Sequence, residues 1–214
     1  MRSAARTPVA LLGAALLPAC DRDPGGRAGD GVQVALVDSI RFENELIGVG
    51  YLRRVAVRTA AGVDTIEGVV TDQEPVMVGD SVVYGFLYDQ QSVTGAFAYD
   101  VEARTVRRLT LPEQLFAFSV PRFAPDGSHL AYLAMDTAGL GSAAVVEWPS
   151  AHVIYRGPPV RLLETDVPVD AVRWANARQF EITIEMSHFA GGGAQRTRGT
   201  VAQLDSVAVD TVRR

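Results

Sequence analysis

Two adjacent serine–histidine pairs, Ser128-His129 and Ser187-His188, carry the residue types that nucleophilic catalysis uses. A serine becomes a nucleophile only when a base lies beside its hydroxyl. Both pairs fall next to segments with the pattern of β-strands, and consecutive side chains on a strand point to opposite faces of the sheet. We therefore expect neither pair to hydrogen-bond as a catalytic dyad. The sequence also contains no Gly-x-Ser-x-Gly turn of the kind that exposes a nucleophilic serine.

Metal-binding and phosphate-binding patterns are equally weak. The histidines His129, His152 and His188 are far apart in sequence and show no H-x-x-x-H or H-x-E spacing. Asp126 stands in a Pro-Asp-Gly sequence and is interpreted as a turn residue, not as a ligand. The glycine run at 190–194 lacks the Gly-Lys-Ser/Thr ending of a phosphate loop, and we interpret it as a flexible hairpin with Arg196 and Arg198 on its flank. The sequence predicts no catalytic residue, no metal site and no cofactor.

The single cysteine, Cys20, offers a different chemistry, which is acylation. It follows two basic residues, Arg2 and Arg6, and an apolar stretch from Val9 to Leu17 that is too short to span a bilayer. The small residue Ala19 precedes it directly. This segment resembles a bacterial lipoprotein signal peptide with its lipobox. The resemblance implies that the chain is cut before Cys20, which then carries acyl chains such as palmitate, and that several chains together anchor a protein stably to a membrane.

The resemblance implies a three-part organisation: a signal peptide at 1–19, a flexible tether at 20–31 and one domain at 32–214. The tether is rich in glycine and aspartate and has little to bury. The domain is expected on the exported side of a bacterial membrane, inner or outer. Pro18 departs from the usual lipobox residues, so the alternative is an ordinary secretory signal in which Cys20 is incidental.

Composition limits the remaining possibilities. The chain has 214 residues, which is enough for one domain with a full core, and a formal net charge of −5. Its basic residues are all arginines and form no cluster that would neutralise a phosphate backbone, so nucleic acid is not an expected partner. No second apolar stretch of about 20 residues follows the first, so the sequence predicts no further membrane crossing.

Short runs rich in valine, isoleucine and tyrosine, broken by turn residues, predict an all-β fold. Several runs alternate apolar and polar residues, most clearly Phe180–Met186. One helix candidate, Pro112–Phe118, is too short to assign. The predicted strands are Val32–Ile40, Leu46–Tyr51, Arg54–Thr59, Thr65–Val70, Val76–Val78, Ser81–Leu87, Gly95–Asp100, Val106–Leu109, Arg122–Phe123, His129–Ala134, Ala143–Trp148, His152–Arg156, Ala171–Trp174, Phe180–Met186, Gly199–Asp205 and Val207–Val212.

The runs repeat with the length of a four-stranded propeller blade, which is about 40–50 residues. The clearest unit is 120–132, in which Phe123 precedes Ala-Pro-Asp-Gly and Tyr132 ends an apolar strand. This unit resembles the repeat of TolB-type propellers and of the propeller domain of prolyl oligopeptidases. Pro125 presets the backbone of the turn, Asp126 accepts from following amides and Gly127 supplies a positive φ. The resemblance implies a β-propeller-like array, and it does not extend to a hydrolase domain.

The chain has room for about four blades, which is the lower limit for a closed propeller. The array is therefore expected to be a closed ring, an open arc, or a part completed by another copy, and a β-sandwich or an irregular meander is the alternative fold. Phe116 and Phe118 lie between two predicted blades. Among the aromatic residues they are the best candidates to reach a face of the ring, but packing in the core is the expectation for both.

These observations favour a lipid-anchored, non-enzymatic envelope protein whose domain binds a protein or peptide. The alternative is a lipoprotein that binds or senses a small ligand in the centre of the ring. A hydrolase whose site is assembled from dispersed residues is the least favoured of the three hypotheses.

Overall fold

The computed structural model describes residues 31–45, 48–90, 92–116, 121–162, 170–186 and 192–212. The predicted signal peptide, Cys20, the pair Ser187-His188 and Phe118 lie outside these residues. No helix in the described part of the chain is long and apolar enough to cross a membrane.

The strands form four antiparallel sheets that follow one another along the chain. The first sheet contains β1 (Gln33–Asn44), β2 (Gly48–Thr59) and β3 (Gly62–Thr71), and the second contains β4 (Val76–Val78), β5 (Val82–Asp89), β6 (Ser92–Asp100) and β7 (Thr105–Leu109). The third contains β8 (Arg122–Phe123), β9 (His129–Met135), β10 (Leu140–Glu147) and β11 (Val153–Arg156), with β12 (Val160–Arg161) also paired to β10. The fourth contains β13 (Asp170–Trp174), β14 (Gln179–Glu185), β15 (Ala194–Thr200) and β16 (Ala208–Val212), and a short 3-10 helix, Val201–Ser206, joins its last two strands.

The predicted fold class is therefore confirmed: the domain is an all-β, propeller-like succession of about four antiparallel sheets. Apart from β12, which pairs with β10 and not with β11, strands that are neighbours in sequence are neighbours in each sheet, because turns of a few residues can join only antiparallel strands. The first sheet has three strands instead of four, and the third has an additional short one.

Apolar side chains between successive sheets hold the array together. Val55 and Val57 of the first sheet pack with Val83 and Phe97 of the second. A second cluster includes Phe86, Phe123 and Trp148 and joins the second and third sheets, and a third includes Leu133, Val145, Ile182 and Ile184 and joins the third and fourth. No apolar cluster of described residues joins the fourth sheet to the first, so each of these two end sheets has one face outside the three clusters.

The strand β14 shows how the sequence produces this packing. Phe180, Ile182 and Ile184 are buried towards the third sheet, whereas the residues between them, Glu181 and Thr183, are only half-buried. The period of two that is visible in the sequence therefore distinguishes an apolar inner face from a polar outer face.

The predicted strands differ most from the observed ones at two places, and others differ by a few residues at their ends. Leu46–Tyr51 and Arg54–Thr59 were expected as separate strands, but β2 is continuous from Gly48 to Thr59. The alternation does change phase here, since Arg53 and Arg54 are both exposed and lie at a register shift opposite Val37 and Ser39. The strand nevertheless continues, because β1 pairs with it on both sides of this bulge, from Gly48 to Arg58.

The second error concerns the fourth sheet. Gly199–Asp205 was expected as a strand, whereas β15 ends at Thr200 and is followed by the 3-10 helix. The true strand was interpreted as the flank of a hairpin because it contains no large apolar residue. Its buried inward positions are Gln195 and Thr197, which carry polar side chains.

Candidate functional site: a groove on the fourth sheet

The Ser128-His129 pair does form a contact, contrary to the expectation from strand alternation. The Oγ atom of Ser128 lies 2.6 Å from Nδ1 of His129 and 2.6 Å from Oδ1 of Asp126. The alternation rule fails here because Ser128 belongs to the bend before β9, and the strand begins only at His129. Two residues at such a boundary can direct their side chains to the same side.

This contact stabilises a turn and does not have the arrangement of a catalytic triad. Ser128 donates both its hydroxyl and its backbone N–H, the latter at 3.0 Å, to Asp126 Oδ1. Burial raises the pKa of Asp126, but these two hydrogen bonds and the charge of His129 outweigh it, so the pKa lies below the ordinary value. The hydroxyl has one proton, which goes to the carboxylate, so the contact with His129 fits the tautomer that carries a proton on Nδ1. In that tautomer Nδ1 is not a base for Ser128.

The turn itself connects β8 to β9 and rests on the second sheet. Gly127 has a φ of 68° and donates its N–H to the carbonyl of Ala124 at 2.8 Å. Pro125 and Asp126 are the exposed central residues of this turn. Gly127 is buried, and a Cβ atom on it would lie 2.2 Å from Cγ2 of Val78 on β4. A side chain is therefore opposed at this position both by the backbone conformation and by the neighbouring sheet.

The other residues considered from the sequence are dispersed. His152 is exposed directly before β11. No group of three His, Cys, Asp or Glu side chains in the described residues is placed to hold a metal ion. Phe116 packs on the apolar cluster between the third and fourth sheets.

A chain of hydrogen bonds runs across three sheets. Gln73, in the segment after β3, donates to the hydroxyl of Tyr88 and accepts a hydrogen bond from the guanidinium of Arg122. The carbonyl of Arg122 accepts the indole N–H of Trp174 at 3.0 Å. These bonds link the second, third and fourth sheets and fix the orientation of Trp174.

Trp174 lies at one end of the fourth sheet, beside a groove of about 630 Å³. The groove is formed where β13 ends, β14 begins and β15 ends, and the 3-10 helix forms its remaining wall. Its lining residues are Arg173, Trp174, Ala175, Gln179, Phe180, Glu181, Arg198, Gly199, Thr200, Gln203 and Ser206.

Three charged residues form a row across the groove. The strand register places Glu181 directly opposite both Arg173 on β13 and Arg198 on β15. Arg198 donates its Nε–H to Oε2 of Glu181 at 2.5 Å. Arg173 is exposed and forms no ion pair within the described residues. The row therefore contains two guanidinium groups and one carboxylate, and among the described residues one of the guanidinium groups has no ion-pair partner.

Sequence reasoning did not identify this site. Trp174 was grouped with core aromatics, and it is indeed half-buried against Phe180, with a distance of 5.8 Å between ring centroids. Arg198 was interpreted as the flank of a hairpin. The available signal was the alternation of β14, which places Glu181 on the face opposite Phe180. The partners of Glu181 on either side depend on the strand register, and no local pattern determines that register.

The solved structures include one that is similar to this chain, the crystal structure of TolB from Acinetobacter baumannii. The similarity has a TM-score of 0.46 and 16% sequence identity, and it covers 86% of this chain and 42% of that chain. This chain thus spans less than half the length of that protein. No protein-family model matches the chain, and no curated protein sequence is similar to it.

Proposed function

We propose that this protein is exported and anchored to the bacterial envelope by acyl chains on Cys20, and that its domain binds a protein or peptide partner without catalysing a reaction. The observation that carries the partner-binding part is the groove on the fourth sheet. It lies on the face of an end sheet and combines a guanidinium that has no ion pair with any described residue, an ion pair and neutral hydrogen-bonding side chains. Binding residues often lie on connecting segments that a rigid scaffold positions, and the groove includes Ala175, Gln203 and Ser206 from such segments at the end of the sheet.

The anchoring part is supported by the sequence alone. The basic residues, the apolar stretch and Ala19-Cys20 stand in the order that a lipoprotein signal requires. Such an anchor would restrict the domain to the membrane surface, so the partner would be an envelope protein or a peptide that reaches the same compartment.

Site-specific photocrosslinking in intact cells tests the partner-binding part. A benzoylphenylalanine at Gln203, on the wall of the groove, should give one adduct of defined mass with a membrane or envelope protein. The matched control position is Val106 on β7 of the second sheet, which is 42% exposed and remote in sequence from the groove. Adducts that are absent at Gln203, or that are the same at both positions, would contradict the proposal.

A small ligand is the second candidate for the groove, because its volume of about 630 Å³ falls within the range of small-molecule sites, about 300–1,000 Å³. Thermal denaturation of the purified domain with a library of envelope metabolites distinguishes the two hypotheses. A concentration-dependent rise in the melting temperature that disappears in Glu181→Gln would favour the small ligand.

A further inference from the structure

We infer that the groove on the fourth sheet recognises an acidic segment of a peptide or protein partner, and that Arg173 pairs with a carboxylate of that segment. This inference rests on the proposed partner-binding function and specifies its chemistry. It concerns the groove residues Arg173, Glu181, Arg198 and Gln203.

The charge balance of the groove is the first argument. Glu181 neutralises Arg198, with which it shares a hydrogen bond of 2.5 Å, and Arg173 stands opposite Glu181 without an ion pair of its own in the described residues. The chain as a whole has a net charge of −5, so most of its surface is expected to repel an acidic segment. The row across the groove, with its excess guanidinium, is a local exception.

The geometry of a guanidinium is the second argument. Arginine presents its N–H groups in a planar fork that matches the two oxygens of a carboxylate, and such charge-assisted bonds are among the stronger ones at protein surfaces. Arg173 lies on β13, a strand that is paired with β14 from Asp170 to Trp174, so its backbone is held in place. The next residue, Trp174, is fixed by its hydrogen bond to the carbonyl of Arg122. The backbone of the site and the ring of Trp174 are thus held in place before binding, which lowers part of the entropy cost.

The neutral lining residues favour a peptide as the occupant. Ser206 donates its hydroxyl to the carbonyl of Gln203 at 3.0 Å, and the Oε1 atom of Gln179 accepts from Asn176 at 2.9 Å. The oxygen of Ser206 and the amide N–H groups of Gln179 can still bond peptide N–H and C=O groups, and the side chain of Gln203 can do both. The groove crosses the ends of three strands, so an extended segment can pass along it and leave its ends in solvent. A small carboxylate would be held mainly by Arg173, since it is too short to reach the opposite wall as well.

The Glu181–Arg198 pair also predicts what the groove rejects. A basic segment that approached Glu181 would meet a carboxylate already engaged by Arg198 and flanked by Arg173. A basic side chain beside Arg173 and Arg198 would be repelled by their like charges, and this repulsion is stronger where water is partly excluded. The groove should therefore select against lysine and arginine as well as for aspartate and glutamate.

Selection from a phage library of random dodecapeptides on the immobilised domain tests this inference. Peptides recovered on the native domain should be enriched in aspartate and glutamate and depleted in lysine and arginine. Arg173→Glu should reverse this preference. Arg107→Glu, the same charge change on the exposed strand β7, should leave it unchanged. A synthetic peptide from the selection should bind Arg173→Gln about tenfold more weakly than the native domain, and Arg173→Lys should recover part of the loss.

The outcomes distinguish a failure of the acidic-segment inference from a failure of partner binding at the groove. No acidic enrichment on the native domain, or the same enrichment on Arg173→Glu with an unchanged melting temperature, would overturn the acidic-segment inference. If crosslinking at Gln203 still captured its partner in that case, partner binding would stand with a different chemistry. If free glutamate competed for the groove as strongly as the selected peptide, the site would be one for a small carboxylate and the inference would be wrong.

Discussion

Gly127 lies directly against Val78: a Cβ atom added to Gly127 would be 2.2 Å from the Cγ2 atom of that valine. The tight turn between β8 and β9 is thus also part of the contact between the third and second sheets. The effect of the positive φ at Gly127 can be separated experimentally from that of the contact with Val78, because Gly139 has a positive φ but no neighbouring atom close to an added Cβ.

Gly127→Ala should lower the free energy of unfolding by more than the roughly 1 kcal/mol that a positive φ alone costs. The matched control is Gly139→Ala, because Gly139 has a φ of 77° and no atom within 4 Å of an added Cβ. Denaturant unfolding of both variants measures the difference. Adding Val78→Ala to Gly127→Ala should restore part of the loss, and equal costs at Gly127 and Gly139 would contradict the packing.

The hydrogen bond between Gln73 and Arg122 should appear as an energetic coupling between sheets. Gln73→Ala and Arg122→Ala are each expected to destabilise the domain, and the double variant should lose less than the sum by about 1 kcal/mol, because both single changes remove the same bond. Urea unfolding of the four proteins gives this coupling. Strict additivity would mean that the two residues do not interact in solution.

Asp126 should make stability depend on pH in the acidic range. Its pKa is lowered in the folded state, so the stabilisation is complete above the unfolded pKa of about 4 and is lost as the pH falls through the folded value. Asp126→Asn should therefore be less stable than the native protein at pH 7, and the difference should shrink in acid. A difference that grew below pH 4 would have the wrong sign for this account.

Cys20→Ser tests the anchor. The change should abolish labelling by a fatty-acid probe and release the protein from membranes, because cysteine supplies the acylated sulfur. Growth with an alkyne-tagged fatty acid followed by membrane fractionation measures both effects. Labelling and membrane retention that persist in this variant would exclude Cys20 as the site.

The sequence predicted most of the fold because local signals agreed with it. Pro125 and Gly127 indicated the turn, and the alternation at Phe180–Met186 indicated a strand with one buried face. For β15 the prediction failed because the burial was polar. Gln195 and Thr197 of β15 point inwards, so this strand has no apolar pattern to detect.

The groove was less accessible to prediction than the fold. Its charged row combines Arg173, Glu181 and Arg198 from three strands, and only the register of β13, β14 and β15 places them side by side. The Ser128–His129 contact was missed for a related reason, since the first residue of β9 determines whether alternation applies. Both features depend on strand boundaries and pairing, which sequence patterns specify poorly.

Hydrogen–deuterium exchange on the domain with and without its crosslinked partner tests partner binding at the groove most directly. The account predicts slower exchange in peptides that cover the end of β13, the start of β14 and the 3-10 helix, and unchanged exchange in β7 of the second sheet. Protection confined to the first or second sheet, with the groove unaffected, would contradict it.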